Sequence, residues 1–383
     1  MKVLYDYQAF TMQHFGGVSK CFCELLMHKP KDLDYEIAIS QSNNSHLIDS
    51  NLVDNLVYPA MDYQVFAKRF PHLAKHKIYK LLNILGLIKG TEKLNKKESI
   101  LKLKEKKFDV FHATFFDDYF LPYIGGKPFV ITVHDMMPEI FPDYFRKPNP
   151  ETKRKKELCE KAAAVIAVSE NTKKDLIRIM DIPEEKIHVI YHGGPNIVDN
   201  FSLPLVQGEY FLYVGQRDAY KNFHQTLKDF SLFHRQFPLV KLVCTGKPFS
   251  SSENKQIREL GLLQNVIYIR PTDIELLNLY HYAIAFIYPS LYEGFGMPIL
   301  EAFACGCPVL LNNKSCFPEI AGDAALYFES DSFNSTLVDY LIQIYKMNRN
   351  DRESLINIGY RRLACYNWTQ SSMLLYNIYK EII

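Results

Sequence analysis

The sequence has no run of the ~18 apolar residues that a membrane-crossing helix requires. Its opening, MKVLYDYQAF, turns polar too early for the apolar core of a secretion signal. The eight cysteines form no CxxC pair and have no histidine at the spacing of a structural zinc site. They read as buried thiols of a reducing compartment, and packing accounts for the close pair Cys305 and Cys307 better than redox chemistry does. Internal repeats and low-complexity tracts are also missing. These absences together predict a globular protein of the cytoplasm.

An acidic metal motif is nearly absent as well. The one Asp-x-Asp, Asp32-Leu33-Asp34, precedes a strand-like run instead of following one and reads as a turn with a helix cap. No bound metal or other cofactor is therefore expected. Charge is almost balanced, at +2 overall, yet residues 71–107 hold eleven lysines against three glutamates. Within them KIYKLLNILGLIKG, residues 77–90, interleaves lysine with leucine and isoleucine. Such a segment suits either a helix on an anionic membrane surface, at the inner face of the membrane, or a solvated helix packing its leucines on its own domain. No nucleic-acid-reading motif accompanies it, so nucleic acid is not an expected partner.

At 383 residues the chain suits two domains of roughly 150–200 residues each. Short apolar runs (MKVLYDY, FDVFHA, PFVITVHD, AAAVIAVS, KIHVIYHG, EYFLYVG, KLVCTG, NVIYIR, IAFIYPS, CPVLLNN) alternate with amphipathic stretches. That alternation predicts parallel sheets covered by helices on both faces, a doubly wound α/β fold. The segment HGGPNIVDNFSLPLVQGEY breaks the pattern and divides the chain into residues 1–195 and 205–365. A last helix over 366–383 needs a surface for Trp368 and its leucines. In open α/β sheets ligands bind beyond the carboxyl ends of strands, so residues just after each strand are the candidates for a site.

SLYEGFGMPILEAFACGCP, residues 290–308, with the strand's last residues before it, reads as strand, glycine turn, helix. Gly294 and Gly296 permit close backbone approach, and Pro298 suits the first turn of a helix ending at Gly306. A helix start offers free N–H groups and partial positive charge to a phosphate. Glu293 before the turn and Glu301 within the helix could then hold two sugar rings on either side of a diphosphate, since carboxylates accept paired hydrogen bonds from neighbouring hydroxyls. The spacing alone allows equally a dipole-stabilising glutamate and a surface one. Arg217 and Lys221 follow the strand EYFLYVG and could stabilise a dianionic leaving group. His134 ends PFVITV, where a lone histidine is commonly structural, and Asp135 follows it. Gly16 and Gly17 open the helix VSKCFCELLMH, and Ser169 reads as the cap of the helix after AAAVIAVS.

EGFGMPILEA followed by GCPVLLNNKSCFPEIAGDAALYF closely resembles the E-x7-E signature of the family 4 glycosyltransferases, retaining enzymes of the two-domain GT-B fold. HFGGVSK, ITVHDMMPEIFP, AVIAVSENTKKDL and YVGQRDAYKNF resemble further family segments in the family's order, and the likeness spans about residues 5–380. The resemblance implies that Glu293 contacts the transferred hexose and Glu301 the nucleotide's ribose. It places the backbone of Gly294, Phe295, Gly296 and Met297 against the hexose and diphosphate. Arg217 and Lys221 would hold the diphosphate in place of a metal, His134 would face the donor sugar, and the Gly16–Gly17 loop would lie beside donor phosphate and acceptor. Tyr220 stands where many relatives carry another arginine, and Arg270, in the loop YIRPTD expected to border the base, stands where glycine is frequent. Guanine and uracil both stay open. The YVGQRDAYKNF form resembles mannosyltransferases of polysaccharide biosynthesis, so the expected reaction moves a hexose, with GDP-mannose the expected donor, to a glycan or polyprenyl-linked acceptor. A sugar-nucleotide epimerase, a phosphorylase or a non-catalytic binding subunit on the same fold are the alternatives.

Overall fold

The computed structural model describes residues 1–59, 78, 81, 90–145, 149–217, 219–331 and 334–383. Two six-stranded sheets, each parallel throughout, make up two α/β domains. The first sheet runs β2-β1-β3-β4-β5-β6, with β1 Lys2–Tyr5, β2 Asp34–Ile37, β3 Val110–Ala113, β4 Phe129–Val133, β5 Ala164–Ala167 and β6 Ile187–Val189. The second runs β12-β11-β10-β7-β8-β9, with β7 Tyr210–Tyr213, β8 Lys241–Cys244, β9 Val266–Tyr268, β10 Phe286–Tyr288, β11 Val309–Asn312 and β12 Ala325–Phe328. Every residue of the central strands β3, β4, β5, β7, β10 and β11 is buried. Helices therefore cover both faces, and the uninterrupted apolar character of these runs follows from it.

Strand order reverses beside β1 in the first sheet and between β7 and β10 in the second. At a reversal the connections leave in opposite directions, which opens a crevice at the carboxyl ends. The segments after β7 and β10 therefore flank one crevice, and the segment after β4 faces it from the other domain.

The final helix, Trp368–Glu381, returns to the first domain, where Trp368, Leu375, Ile378 and Tyr379 join its core. Tyr379 Oη meets Tyr5 Oη at 2.8 Å and His112 Nδ1 at 2.5 Å, and Ser372 Oγ donates to the Leu25 carbonyl at 2.8 Å. The structure thus bridges the two domains twice, through residues 190–209 and through this helix.

Of the basic segment, residues 71–77, 79–80 and 82–89 lie outside the described residues, which takes in most of KIYKLLNILGLIKG. The helix Thr91–Glu105 is described, and two of its lysines serve the domain itself: Lys102 pairs with Glu36 at 2.8 Å and Lys96 with Asp117 at 3.0 Å. Among the described residues no helix is long and apolar enough to cross a membrane. All eight cysteines are free, and seven are buried.

Candidate active site

The turn after β10 presents Glu293 to Lys221, which lies after β7, with Nζ 2.5 Å from Oε1. The two side chains are only 17% and 14% exposed, so their attraction is weakly screened. Burial alone would lower the lysine's pKa, but the Glu293 carboxylate outweighs it and holds the pKa above its ordinary value. The aromatic faces of Tyr220 and Tyr288 lie 5.0 and 5.8 Å from the ammonium. Tyr220, at the position of a common arginine, thus contributes a ring face to Lys221. Ser315 Oγ donates to the Glu293 carbonyl at 2.6 Å and fixes the start of the turn.

Arg217 sits apart from this pair. Its Nε donates to Glu253 at 2.7 Å, Nη1 to the Thr245 carbonyl at 2.7 Å and Nη2 to the Lys247 carbonyl. Phe223 and Phe249, stacked on each other, flank it on one side, with its Cζ 5.3 and 4.9 Å from their centroids. These contacts occupy three of a guanidinium's five N–H donors and lock the β7 loop to the β8 loop. The Glu253 carboxyl sits below its ordinary pKa: burial opposes this, but Ser250 and Arg217 hydrogen bonds prevail.

Gly296 closes the turn at φ 97°, a left-handed conformation that favours glycine, and caps the helix Met297–Ala304 with Pro298 in its first turn. Phe295 is buried against His192. On that helix Glu301 reaches back to the cleft, where Lys20 Nζ approaches Oε1 at 3.3 Å and Tyr280 Oη approaches Oε2 at 3.5 Å. Lys20 belongs to the helix Gly17–Met27 of the other domain, which starts directly at the glycine pair. At Gly16 a Cβ would collide with the Gln13 side chain, whereas at Gly17 it would meet nothing within 4 Å.

The first domain offers His134 at the end of β4. Its Nε2 is shielded from solvent and has no hydrogen-bond partner. Burial pushes its pKa down to about 4, against the pull of Asp135 and with a further push from Lys155, so the imidazole is neutral at pH 7. Asp135 caps the following turn by accepting from the Met137 N–H at 3.0 Å. Lys155 supports that turn from below: its buried Nζ donates to the Asp135 carbonyl at 3.2 Å and pairs with Glu139 at 2.9 Å. Lys155 stands in the charge run ETKRKKEL, where sequence alone does not set it apart from its solvated neighbours.

The domains meet closely around the site. Ser169 caps the helix Glu170–Met180, as expected, and its Oγ also donates to the Gly294 carbonyl at 2.7 Å across the cleft. Glu319 accepts from the N–H groups of Glu170 and Asn171 at 2.6 and 3.0 Å, a carboxylate from one domain placed on the positive helix end of the other. Tyr292 Oη donates to Asp175 at 2.8 Å. These cross-domain roles lie between distant residues, so no local spacing announces them. Arg270, beyond β9, is exposed, and Asp34 of the lone Asp-x-Asp opens β2 far along the chain from these segments.

Two facing Rossmann-like domains with a carboxylate-bearing glycine turn at the second domain's switch point define the GT-B architecture. Family profiles agree: residues 62–193 match Glycosyltransferase Family 4 and residues 199–362 match Glycosyl transferases group 1. The chain is 31% identical over 206 residues to the O-antigen chain mannosyltransferase RfbU of Salmonella typhimurium, covering 54% of this chain and 58% of the relative. It is 26% identical over 314 residues to the O-antigen chain mannosyltransferase B of Escherichia coli, covering 77% and 80% of the two chains. The crystal structure of Anabaena Alr3699/HepE in complex with UDP and glucose shares the fold, with a TM-score of 0.71 over 98% of both chains at 16% identity. The two profiles follow one another along residues 62–362, and over that span the chain is similar to the family 4 glycosyltransferases.

Proposed function

We propose that the protein is a retaining glycosyltransferase that moves a hexose, mannose from GDP-mannose, to a hydroxyl of a glycan or lipid-linked glycan. The observation that carries this reading is the buried Glu293–Lys221 contact at the switch-point crevice, opposite a neutral His134. Transfer breaks the bond between the anomeric carbon and the diphosphate, and the leaving group gathers negative charge. Lys221 and the remaining donors of Arg217 would meet that charge already oriented, with no reorganisation during the reaction and no need of a metal. Glu293 would hold hexose hydroxyls and Glu301 the ribose, while the helix start at Met297 receives the diphosphate. A neutral His134 can orient the sugar by hydrogen bonding without adding charge beside the anomeric carbon. The mannose assignment is supported by the names of both relatives and by the YVGQRDAYKNF segment.

The acceptor's proton would leave with the departing phosphate. When the acceptor is lipid-linked, an anionic membrane surface is the proposed place of work, supported by exposed Ile78, Leu81 and Leu101 among the lysines of residues 71–107. Incubation with a panel of nucleotide sugars, with and without a chelator, tests the reading through release of nucleoside diphosphate. GDP-mannose should be consumed in both conditions, and indifference to every donor would refute the proposal.

A further inference from the structure

Beneath the donor face lies a cluster that the transfer reaction leaves unexplained. Cys21 on the helix Gly17–Met27, His134 after β4 and His192 after β6 bring one sulfur and two nitrogens within 4.8 Å of one another. Cys21 Sγ is 3.3 Å from His192 Nδ1. Cys21 and His192 are 3% and 7% exposed, and the shielded His134 Nε2 has no partner. An orphaned nitrogen in a buried position is costly, and a ligand there would satisfy it. A small cavity of about 10 Å³ touches Cys21, His192 and Thr132, room on the scale of a single water or ion.

We propose that Cys21, His134 and His192 form a binding site for a soft or borderline divalent cation such as Zn²⁺. One thiolate and two imidazoles match that class, while Mg²⁺ and Ca²⁺ call for oxygen ligands. With metal–sulfur and metal–nitrogen bonds of about 2.3 and 2.0 Å, tetrahedral ligands stand roughly 3.3–3.6 Å apart. The Cys21–His192 separation already meets that, and the widest separation in the cluster, no more than 4.8 Å, needs to close by about 1.5 Å at most. On binding, the Cys21 S–H loses its proton to solvent as the sulfur–metal bond forms, and each imidazole uses its lone pair. The fourth position is left for water. His134 borders the interdomain cleft, which gives the ion its way in. An ion held there takes His134 away from the donor sugar, so occupancy would inhibit the transfer proposed above. Binding itself does not depend on that reading.

Titration of the full chain with Co²⁺ under reducing, chelator-free conditions tests the site without any substrate. The expected result is a thiolate-to-cobalt charge-transfer band in the near ultraviolet, saturating at one ion per chain and bleached by Zn²⁺. Cys21→Ala should abolish the band, and Cys365→Ala, which removes the exposed thiol, should leave it intact. His192→Gln provides a second variant should Cys21→Ala fail to fold. It should weaken Co²⁺ binding by more than the roughly 10-fold that losing even an outer-shell partner costs. A wild-type chain without the band, or a band that persists in folded Cys21→Ala, would overturn the proposal.

Discussion

Replacing Gly294 with alanine tests how the two domains must meet. A Cβ at that position would lie 1.7 Å from the His134 carbonyl oxygen, 2.8 Å from its carbon and 3.2 Å from Asp135 Cα. All three atoms belong to the backbone, so no side-chain rotation relieves the clash. Gly294 is not among the left-handed glycines, and alanine can adopt its backbone shape without strain. The cost is therefore one of approach: contacts under 3.0 Å essentially never occur for a Cβ, so the domains must part by roughly 1.3 Å or the turn must distort. That movement also breaks the bond from Ser169 to the Gly294 carbonyl. A misplacement of about 1 Å at a reacting centre can cost on the order of 100-fold in rate, about 3 kcal/mol of barrier. Donor turnover by Gly294→Ala should fall by that much. Nucleoside diphosphate affinity, measured by calorimetry, should change little, because Lys221 and Glu301 move with the turn. Wild-type turnover in Gly294→Ala would refute the closure argument, and a parallel loss of nucleotide affinity would locate the damage in the second domain instead.

Lys221→Met and Glu293→Gln should each destabilise the protein by about 3 kcal/mol, because each leaves one buried charge unpaired; in thermal or urea unfolding the double variant should recover part of the loss, and strict additivity would count against a direct pair. Gly17→Ala should fold at least as stably as wild type, since its methyl meets nothing within 4 Å, yet donor turnover should drop; unchanged kinetics would remove Gly17 from the donor site. Burial raises the Asp6 carboxyl to about 6 from its model-compound value of 3.8, against hydrogen bonds from Thr114 and Gln8. The folded state therefore holds a proton that the unfolded chain has lost over that window, and stability from this group rises as pH falls through 6. Relative to Asp6→Asn, wild type should gain about 2 kcal/mol between pH 7 and 4.5 in urea unfolding, and a pH-independent difference would exclude the shift.

Much of this architecture can be read from the apolar runs because the central strands are buried on both faces. The edge strand β12, Ala325–Phe328, escapes that reading, since its middle residues are half-exposed and its four residues are too few to mark a period. The turn at Glu293–Gly296 is legible because glycine and proline carry conformational meaning that survives without tertiary context. Arg217 is only half legible: its place after β7 is plain, but its packing beside Phe223 and Phe249 depends on residues up to thirty-two positions away. Glu319, Ser169 and Lys20 act across the domain boundary, and Cys21 meets His192 over a separation of 171 residues. Spacing rules recover groups that share one element, and these groups share none.

The distribution of charge between the two domains explains why closure would matter so much to such a site. The second domain carries the Lys221–Glu293 pair and Arg217, each already neutralised by a partner, so it can present charge without a large unpaired cost. Apart from Lys20, which meets Glu301, the first domain contributes a neutral imidazole and glycine backbone, which gain nothing at long range and act only on contact. A donor held by the second domain alone would meet charged groups but stay open to water, the competing acceptor. In the proposed reaction, closing the Ser169–Gly294 and Glu319–helix contacts would bring His134 into place and remove that water in the same movement. Each of those contacts joins a side chain of one domain to the backbone of the other. The expected dependence of turnover on Gly294 and the expected near-independence of nucleotide affinity would therefore be two consequences of one division of labour.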